Sequence, residues 1–414
     1  MLSLACKIFN SGFKQMSLLK KVFQCRVTRG VFALIIAALI WLPNVCLFFD
    51  QPETNYIALE KNAPKAMQIA NRYINFWTDP KLREIELEKM RSRNAEWDFM
   101  GRCFFVWSLA NMALREPELQ ARVLPVMDFI IDETIKLEEK HGMNFFLMPY
   151  ARLQPFIEQP PRSIFIDGEI SLMMALRRLV AEKEEYRQLL QARIAQMYAQ
   201  MNRGGVLCGE SYPDECWLFC NSIALAAMKV SDYLDGTDHS EFFKRWVESA
   251  KAKLIDSKSG ILVSSFNLKG DQVADGPEGS TIWLVTHCLK IIDPEFAKEQ
   301  YWKARVQLKA QLAGFGYAYE WPGGTGHDDV DSGPILPIIN LSAGSTGLAF
   351  VGAASFDDRE FLTLLYRSLE MGAFPTRTPD GIRYCASNAV GDAVLLYSIT
   401  LGPAWEKVMK GKQP

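Results

Sequence analysis

Apolar residues along this chain fall mostly three and four positions apart, the spacing that lines one face of a helix, rather than in alternation. The pattern predicts helices over Phe99–Leu114, Val123–Leu137, Ile170–Val180, Glu185–Met201, Asn221–Leu234, Glu241–Ala252, Thr281–Ile292 and Asp358–Met371. Each stretch is about 11–17 residues long, or roughly three to five turns. Loops rich in Gly, Pro and Asp separate them, at 204–214, 270–279, 323–333 and 374–381; such residues end helices and set turns. Strand signals are few, with 260–266 and 381–384 reading as short hairpin pieces. About a dozen helices without a strand–helix–strand alternation make the fold class all-α. Helix pairs wound in sequence would form an α/α toroid whose loops converge on one end; an irregular helical array is the alternative.

One segment breaks the amphipathic pattern. Val31 to Phe49 reads VFALIIAALIWLPNVCLFF, about 19 residues without a charge, close to the length that spans a hydrocarbon core. Pro43 and Asn44 interrupt its second half, which a spanning helix tolerates. Lys7, Lys14, Lys20, Lys21, Arg26 and Arg29 precede the segment, and the first acid is Asp50. That bias puts the N-terminus on the cytoplasmic side and the bulk of the chain across the membrane, on the periplasmic or lumenal side. The expected organisation is a basic leader at 1–29, a single-pass anchor (a signal-anchor) at 30–49 and a globular domain at 50–410. A cleaved signal peptide is the competing reading, but no small-x-small cleavage site follows, and Cys46 lacks the small residues that precede a lipidated cysteine.

Composition narrows the function classes. The chain is 49% hydrophobic, enough for a large core, and its 46 basic residues nearly balance 48 acidic ones. No basic field exists for nucleic acid, and no acidic run suggests a disordered tail. Of the nine cysteines, Cys103, Cys208, Cys216, Cys220, Cys288 and Cys385 belong to the globular part. Their spacing resembles no disulfide-dense small domain.

Three segments concentrate chemistry. The first, from Gly204 to Ser222, holds the thiols Cys208, Cys216 and Cys220, the acids Glu210, Asp214 and Glu215, and the aromatics Tyr212, Trp217 and Phe219. It is a turn-rich loop running into a helix near Trp217, with Cys216 and Cys220 on one helix face. A zinc site would want four ligands, which three cysteines without a nearby histidine do not make, so no metal is expected. A disulfide from Cys208 to a helix cysteine is one reading, and a free thiol with a polarising neighbour is the other. The second segment gathers His327, Asp328, Asp329 and Asp331 among glycines. It is either a loop shaped by Asx-turns or an active-site wall; a calcium loop would need a terminal Glu that is absent. The third is Asp167-Gly168-Glu169 at the start of a helix. A carboxylate there is welcomed by the helix dipole, whereas one set beside apolar residues has a raised pKa and can serve as an acid. Aromatics beside these loops, Trp217, Phe219 and Trp283 among them, fill core or line a pocket.

On these residues the chain resembles the linalool dehydratase-isomerase family. The stretch from Gly205 through Cys208 to Cys220-Asn221-Ser222 carries most of the likeness, followed by Asp232-Tyr233-Leu234 with Gly236-Thr237-Asp238 and by Leu254-Ile255-Asp256. Asp293-Pro294 with Phe296, the Gly-Thr and Asp cluster at 324–331, Ile382-Arg383-Tyr384 and Asp392 add to it. The likeness covers about residues 70–400. It implies an (α/α)6 barrel and a cofactor-free reaction that dehydrates a tertiary allylic monoterpenoid alcohol to an alkene and isomerises it to a primary allylic alcohol. It also implies site roles for Cys208 and Cys220, although the loop joining them is about three residues longer here. Glu169 stands where the family has a histidine. Asn75, in Tyr73-Ile74-Asn75-Phe76, stands where it has an acid, and Ser280, with Glu278 close by, where it has a tyrosine. The tyrosine that follows the first of these segments has no counterpart near Asp79. Linalool-type members are soluble exported proteins, whereas this chain carries an anchor.

The expected function is therefore that of a membrane-tethered lyase or isomerase of terpenoid metabolism, working by acid-base dehydration, isomerisation or cyclisation of an isoprenoid-like alcohol or alkene. Such chemistry asks for an acid, a base and an apolar pocket that excludes stray water. Glu169 is the expected acid, Cys208 and Cys220 the site thiols, and Glu210 and Asp214 the candidate bases. Trp217, Phe219, Trp283 and Asn75 would line the substrate, with Asp329 and Asp331 on the opposite wall. The expected partners are a hydrophobic small molecule and membrane lipid, with a homo-oligomer left open. A carbohydrate-active α/α barrel with two facing carboxylates, and a catalytically inert lipid-binding barrel, are the rivals.

Overall fold

A computed structural model of the chain describes residues 26–326, 332–384 and 389–411. The apolar segment forms helix α1 (Arg26–Trp41) and continues as a 3-10 helix over Leu42–Phe49. Pro43 explains the change of winding, because it carries no amide for the helical ladder, and the Asn44 side chain donates to the Ile40 carbonyl at 2.8 Å. Together these 24 residues are long and apolar enough to cross a membrane, and only 6% of the most apolar window is buried.

The rest of the described chain is built from helical hairpins. Outer helices α2 (Pro64–Thr78), α5 (Gln120–His141), α7 (Glu184–Arg203), α9 (Ser240–Lys253), α11 (Pro294–Leu308) and α13 (Arg359–Gly372) alternate with inner helices. The inner set is α4 (Ala95–Arg115), α6 (Ile164–Val180), α8 (Leu218–Asp235), α10 (Gly279–Leu289), α12 (Ala343–Ser355) and α14 (Ala389–Thr400). Each inner helix packs on the next, and α14 packs back on α4, so the ring is closed. This is an (α/α)6 barrel, as expected. A further helix, α3 (Pro80–Arg91), follows α2, and α15 (Pro403–Lys410) ends the described chain.

The inner helices point the same way, which the hydrogen bonds at their two ends make plain. At the amino-terminal rim, the Ser163 hydroxyl before α6 donates to the Ser211 carbonyl before α8 at 2.7 Å, and the Gly279 amide opening α10 donates to Glu320 O before α12 at 2.7 Å. At the carboxyl-terminal rim, α15 closes the ring. Its Ala404 amide meets Asn111 at the end of α4. The Trp405 indole donates to the His287 carbonyl in α10, and Lys407 donates to the Leu179 carbonyl in α6. Long-chain polar groups thus cap carbonyls that a helix end leaves without partners.

The hairpin expected at 381–384 is present as β9 (Gly381–Tyr384), paired with β8 (Pro375–Thr378), and 260–266 contributes β2 (Ser265–Phe266) between β1 (Cys216–Trp217) and β3 (Val273–Asp275). Two further hairpins sit between α11 and α12: β4 (Lys309–Leu312) with β5 (Phe315–Ala318), and β6 (Ile335–Leu336) with β7 (Leu341–Ser342).

Candidate active site

The amino-terminal rim gathers the chemistry, and Glu169 lies at its centre. Two residues earlier, Asp167 is fully buried but paired, accepting from Arg162 Nε at 2.9 Å and from Arg193 of α7. Glu169, on the other side of α6, is equally buried, yet its carboxylate meets no cation or amide, only the neighbouring Cys103 thiol. Between them, Gly168 lets α6 approach α8 closely: a Cβ there would lie 3.3 Å from the Ala224 backbone nitrogen. Burial pushes the Glu169 carboxyl up to about 8, the Cys103 thiol beside it draws it back a little, and the Glu96 charge adds to the rise. Desolvation is therefore the dominant cause, and the neutral acid is the prevailing form near neutral pH.

Thiols from three other inner helices share this environment. Burial raises Cys103 on α4 well above the ordinary thiol value, and Glu169 raises it further. Cys220, in the first turn of α8, is raised by burial and by Glu169, against a Ser211 hydrogen bond that lowers it. Cys288 on α10 is pushed up to about 12 by burial, with Ser222 and Glu169 as its other neighbours. All six described cysteines are free, so Cys208 makes no disulfide with a helix cysteine. Among the described residues no group of three or more His, Cys, Asp or Glu side chains could hold a metal ion.

The Cys208 loop is held in place by its own polar groups. Asn221 of α8 accepts from the Gly209 amide at 2.8 Å and donates to the Gly209 carbonyl at 3.1 Å, which staples loop to helix. Cys208 itself is buried against Trp246 of outer helix α9, with its thiol pushed up to about 12 by burial. It is Cys220, then, that shares the surroundings of Glu169, together with Cys103 and Cys288, which sequence reasoning did not single out. Their only signal was position: both lie on helices that are apolar on nearly every face and therefore form the inner ring.

The expected bases are occupied. Glu210 accepts from the amides of Ile157 at 3.0 Å, Glu158 at 2.7 Å and Asp214 at 2.7 Å. Exposed Asp214, at φ +55°, accepts from the Leu268 amide at 3.1 Å. Both carboxylates fix turns, the role open to any Asx or Glx group facing free amides. The half-buried Trp217 donates through its indole to Glu215 at 2.7 Å, and Phe219 lies buried at the start of α8. Trp283 sits between layers, bonded to Ser345 at 3.1 Å and ringed by Tyr301 and Phe361 of the outer helices. Asn75 is half-buried on outer helix α2. Asp329 and Asp331 lie outside the described residues, as do His327 and Asp328.

Two further polar groups, Tyr212 and Asp392, lie at this rim. Tyr212 donates to Glu96 in the first turn of α4, accepts from the Met148 amide at 2.9 Å, and stacks on Tyr150 with centroids 4.6 Å apart. Asp392, in the first turn of α14, accepts from the Tyr384 amide at 3.2 Å. Burial lifts its carboxyl to about 8, against the lowering effects of that amide and of Arg72.

A family model described as linalool dehydratase/isomerase matches residues 168–389. Among solved structures, a UGL variant with the saccharide dGlcA-Glc-Rha-Glc is 10% identical, with a TM-score of 0.50 over 81% of this chain and 95% of that one. A GH76 α-mannanase from Bacteroides thetaiotaomicron is 11% identical, with a TM-score of 0.42 over 75% of this chain and 87% of that one. A polysaccharide lyase is 14% identical, with a TM-score of 0.37 over 73% and 88%. At such low identity a structural likeness bears on the fold alone, and only the first of the three is high enough to support the α/α barrel.

Proposed function

The chain belongs to the linalool dehydratase/isomerase family, and from that premise we propose a membrane-tethered lyase or isomerase that moves protons on isoprenoid-like alcohols and alkenes without a cofactor. Glu169 is the acid. Its carboxyl, with a pKa of about 8, is mostly protonated at neutral pH and holds its proton in a surround that stabilises no charge. The proton passes to the substrate hydroxyl, the C–O bond breaks, and water leaves with the bonding electron pair. An allylic cation remains. The Glu169 carboxylate, now charged and poorly solvated, takes a proton from a carbon beside the cation, and the C–H electron pair becomes the new double bond. The net change is alcohol to alkene and water, with the acid restored. Return of water at the far end of the allylic system, with its extra proton passing to the Glu169 carboxylate, gives the isomerised alcohol. Attack by a second double bond closes a ring and moves the cation, from which the same carboxylate takes a proton.

The thiols of Cys103, Cys220 and Cys288 border the acid in their neutral form, polarisable groups that do not compete for the proton. Cys208, Glu210 and Asp214 support the loop that carries this wall. The tether suits the substrate, because an isoprenoid partitions into lipid. The observation that carries the reading is the buried Glu169, paired with no cation, among thiols from three other helices. Full-length protein incubated with a panel of linear isoprenoid alcohols, with products read by gas chromatography, tests it. Glu169→Gln keeps the shape but has no acidic proton, so product formation should drop by about 10²-fold or more. Wild-type turnover in that variant would sink the assignment.

A further inference from the structure

We infer that the barrel lies flat against the bilayer beside its anchor, with apolar side chains at turn tips dipping into the lipid. The inference rests on the tether reading above and goes beyond it by assigning a face. The starting point is the junction between anchor and barrel, which contains no free linker. Cys46 is buried over Gly314, the residue at φ +83° that turns β4 into β5. Phe49 packs on Phe315 with ring centroids 5.7 Å apart. Arg367 of α13 grips Asp50, with one contact at 3.2 Å. A helix that ends in such a dock holds the barrel at the membrane surface rather than on a leash.

Turns on the side of this dock expose large apolar side chains. Leu312, one residue before the turn that holds Cys46, is 57% exposed, and Ile338, in the β6–β7 turn, is 98% exposed. β5 and β7 pack together and both run from their hairpin tips towards the start of α12, where the Ala318 amide meets Thr346 and Ser342 caps the Ser345 amide. Their tips therefore turn outward on one side. Phe374, 65% exposed, follows α13, the helix against which residues 42–49 pack. Ile338 and Phe374 share a second peculiarity: their φ values of +75° and +50° lie in the left-handed region. Glycine or asparagine occupies that region cheaply, whereas a β-branched or aromatic residue is strained there. Strained backbone that presents a large apolar side chain to water gains nothing within the barrel. Lipid, continuous with the apolar anchor, is the surround that accepts both the side chains and their position. A lipid-borne substrate could then reach the barrel without crossing water.

The test uses full-length protein reconstituted in phosphatidylcholine vesicles, with single cysteines labelled by an environment-sensitive fluorophore and quenched by spin-labelled lipid. The described native cysteines are buried, and labelling of the unmodified chain is subtracted. Labels at Ile338→Cys and Phe374→Cys should be blue-shifted and quenched several-fold more than one at Leu189→Cys, an exposed position on α7. Ile36→Cys in α1 reports on the tether itself. Strong quenching at 36, with positions 338 and 374 behaving like 189, would overturn the bilayer face and leave the tether standing. No quenching at 36 would remove the tether and the inference together. Blue-shifted labels at 338 and 374 that lipid does not quench would mean a protein covers the patch, which also overturns it.

Discussion

Asp167 and Glu169 are two residues apart and equally buried, but their fates differ completely. Arg162 and Arg193 pair the first, and no cation pairs the second. From sequence, Glu169 stood out as a carboxyl among apolar residues, and its isolation follows from facing the ring rather than the outer layer. Cys103 and Cys288 were not legible, because a thiol in an all-apolar helix looks like any small core residue until neighbouring helices are placed. The isolation has a thermodynamic consequence. Glu169 ionises near 4.5 when unfolded and near 8 when folded, so the native state binds the proton more tightly. The stability this confers is complete below about pH 4.5 and is lost as pH rises through about 8. Asp392 contributes in the same direction, from 3.8 to about 8. Melting measured at about pH 5 and pH 9 should therefore show the wild type losing stability with rising pH, by an amount on the order of a few kcal/mol. Glu169→Gln should lose distinctly less. Equal losses in the two proteins would contradict a buried, proton-retaining Glu169. Catalysis carries the same signature, with turnover falling as pH climbs past about 8.

Among the elements, closeness between α6 and α8 depends on Gly168 facing Ala224. Gly168→Val would force those helices apart, at about 1–3 kcal/mol, and would move the adjacent Glu169. Both the urea midpoint and the turnover number should fall, whereas a change in neither would mean the two helices have slack. At the other rim, Trp405 of α15 stacks on His287 with centroids 5.0 Å apart and bonds its carbonyl at 3.0 Å. Trp405→Ala should remove about 3–5 kcal/mol in urea unfolding, and an unchanged urea midpoint would mean that α15 adds nothing to the closed ring. Several of the longer amphipathic helices were readable from spacing, although α2 and α11 were not among those predicted. α12 was not, because Ala343–Ser355 is largely small residues with no polar face to set a period. The β4–β5 and β6–β7 hairpins were also hidden, since two- to four-residue strands are too short for an alternation to register.

For the molecule as a whole, the long apolar helix near the N-terminus and the all-helical class were legible from composition and period, whereas closure of the ring depends on contacts no local pattern encodes. The docked junction at Cys46, Phe49 and Asp50 makes the apolar segment part of the folded body. Full-length protein expressed in cells should accordingly stay with the membrane fraction after alkaline carbonate extraction; release into the supernatant would count against the tether.

The seam where α14 meets α4 joins the last inner helix to the first. In synthesis the apolar helix α1 leaves the ribosome before any inner helix, and α14, which shuts the ring, leaves it after all the other inner helices. Until α14 emerges, the nascent barrel is an open crescent with its inner surfaces unsealed. The apolar helix is thus complete before a closed ring can exist, and a chain that stops short of α14 should lack the closed barrel.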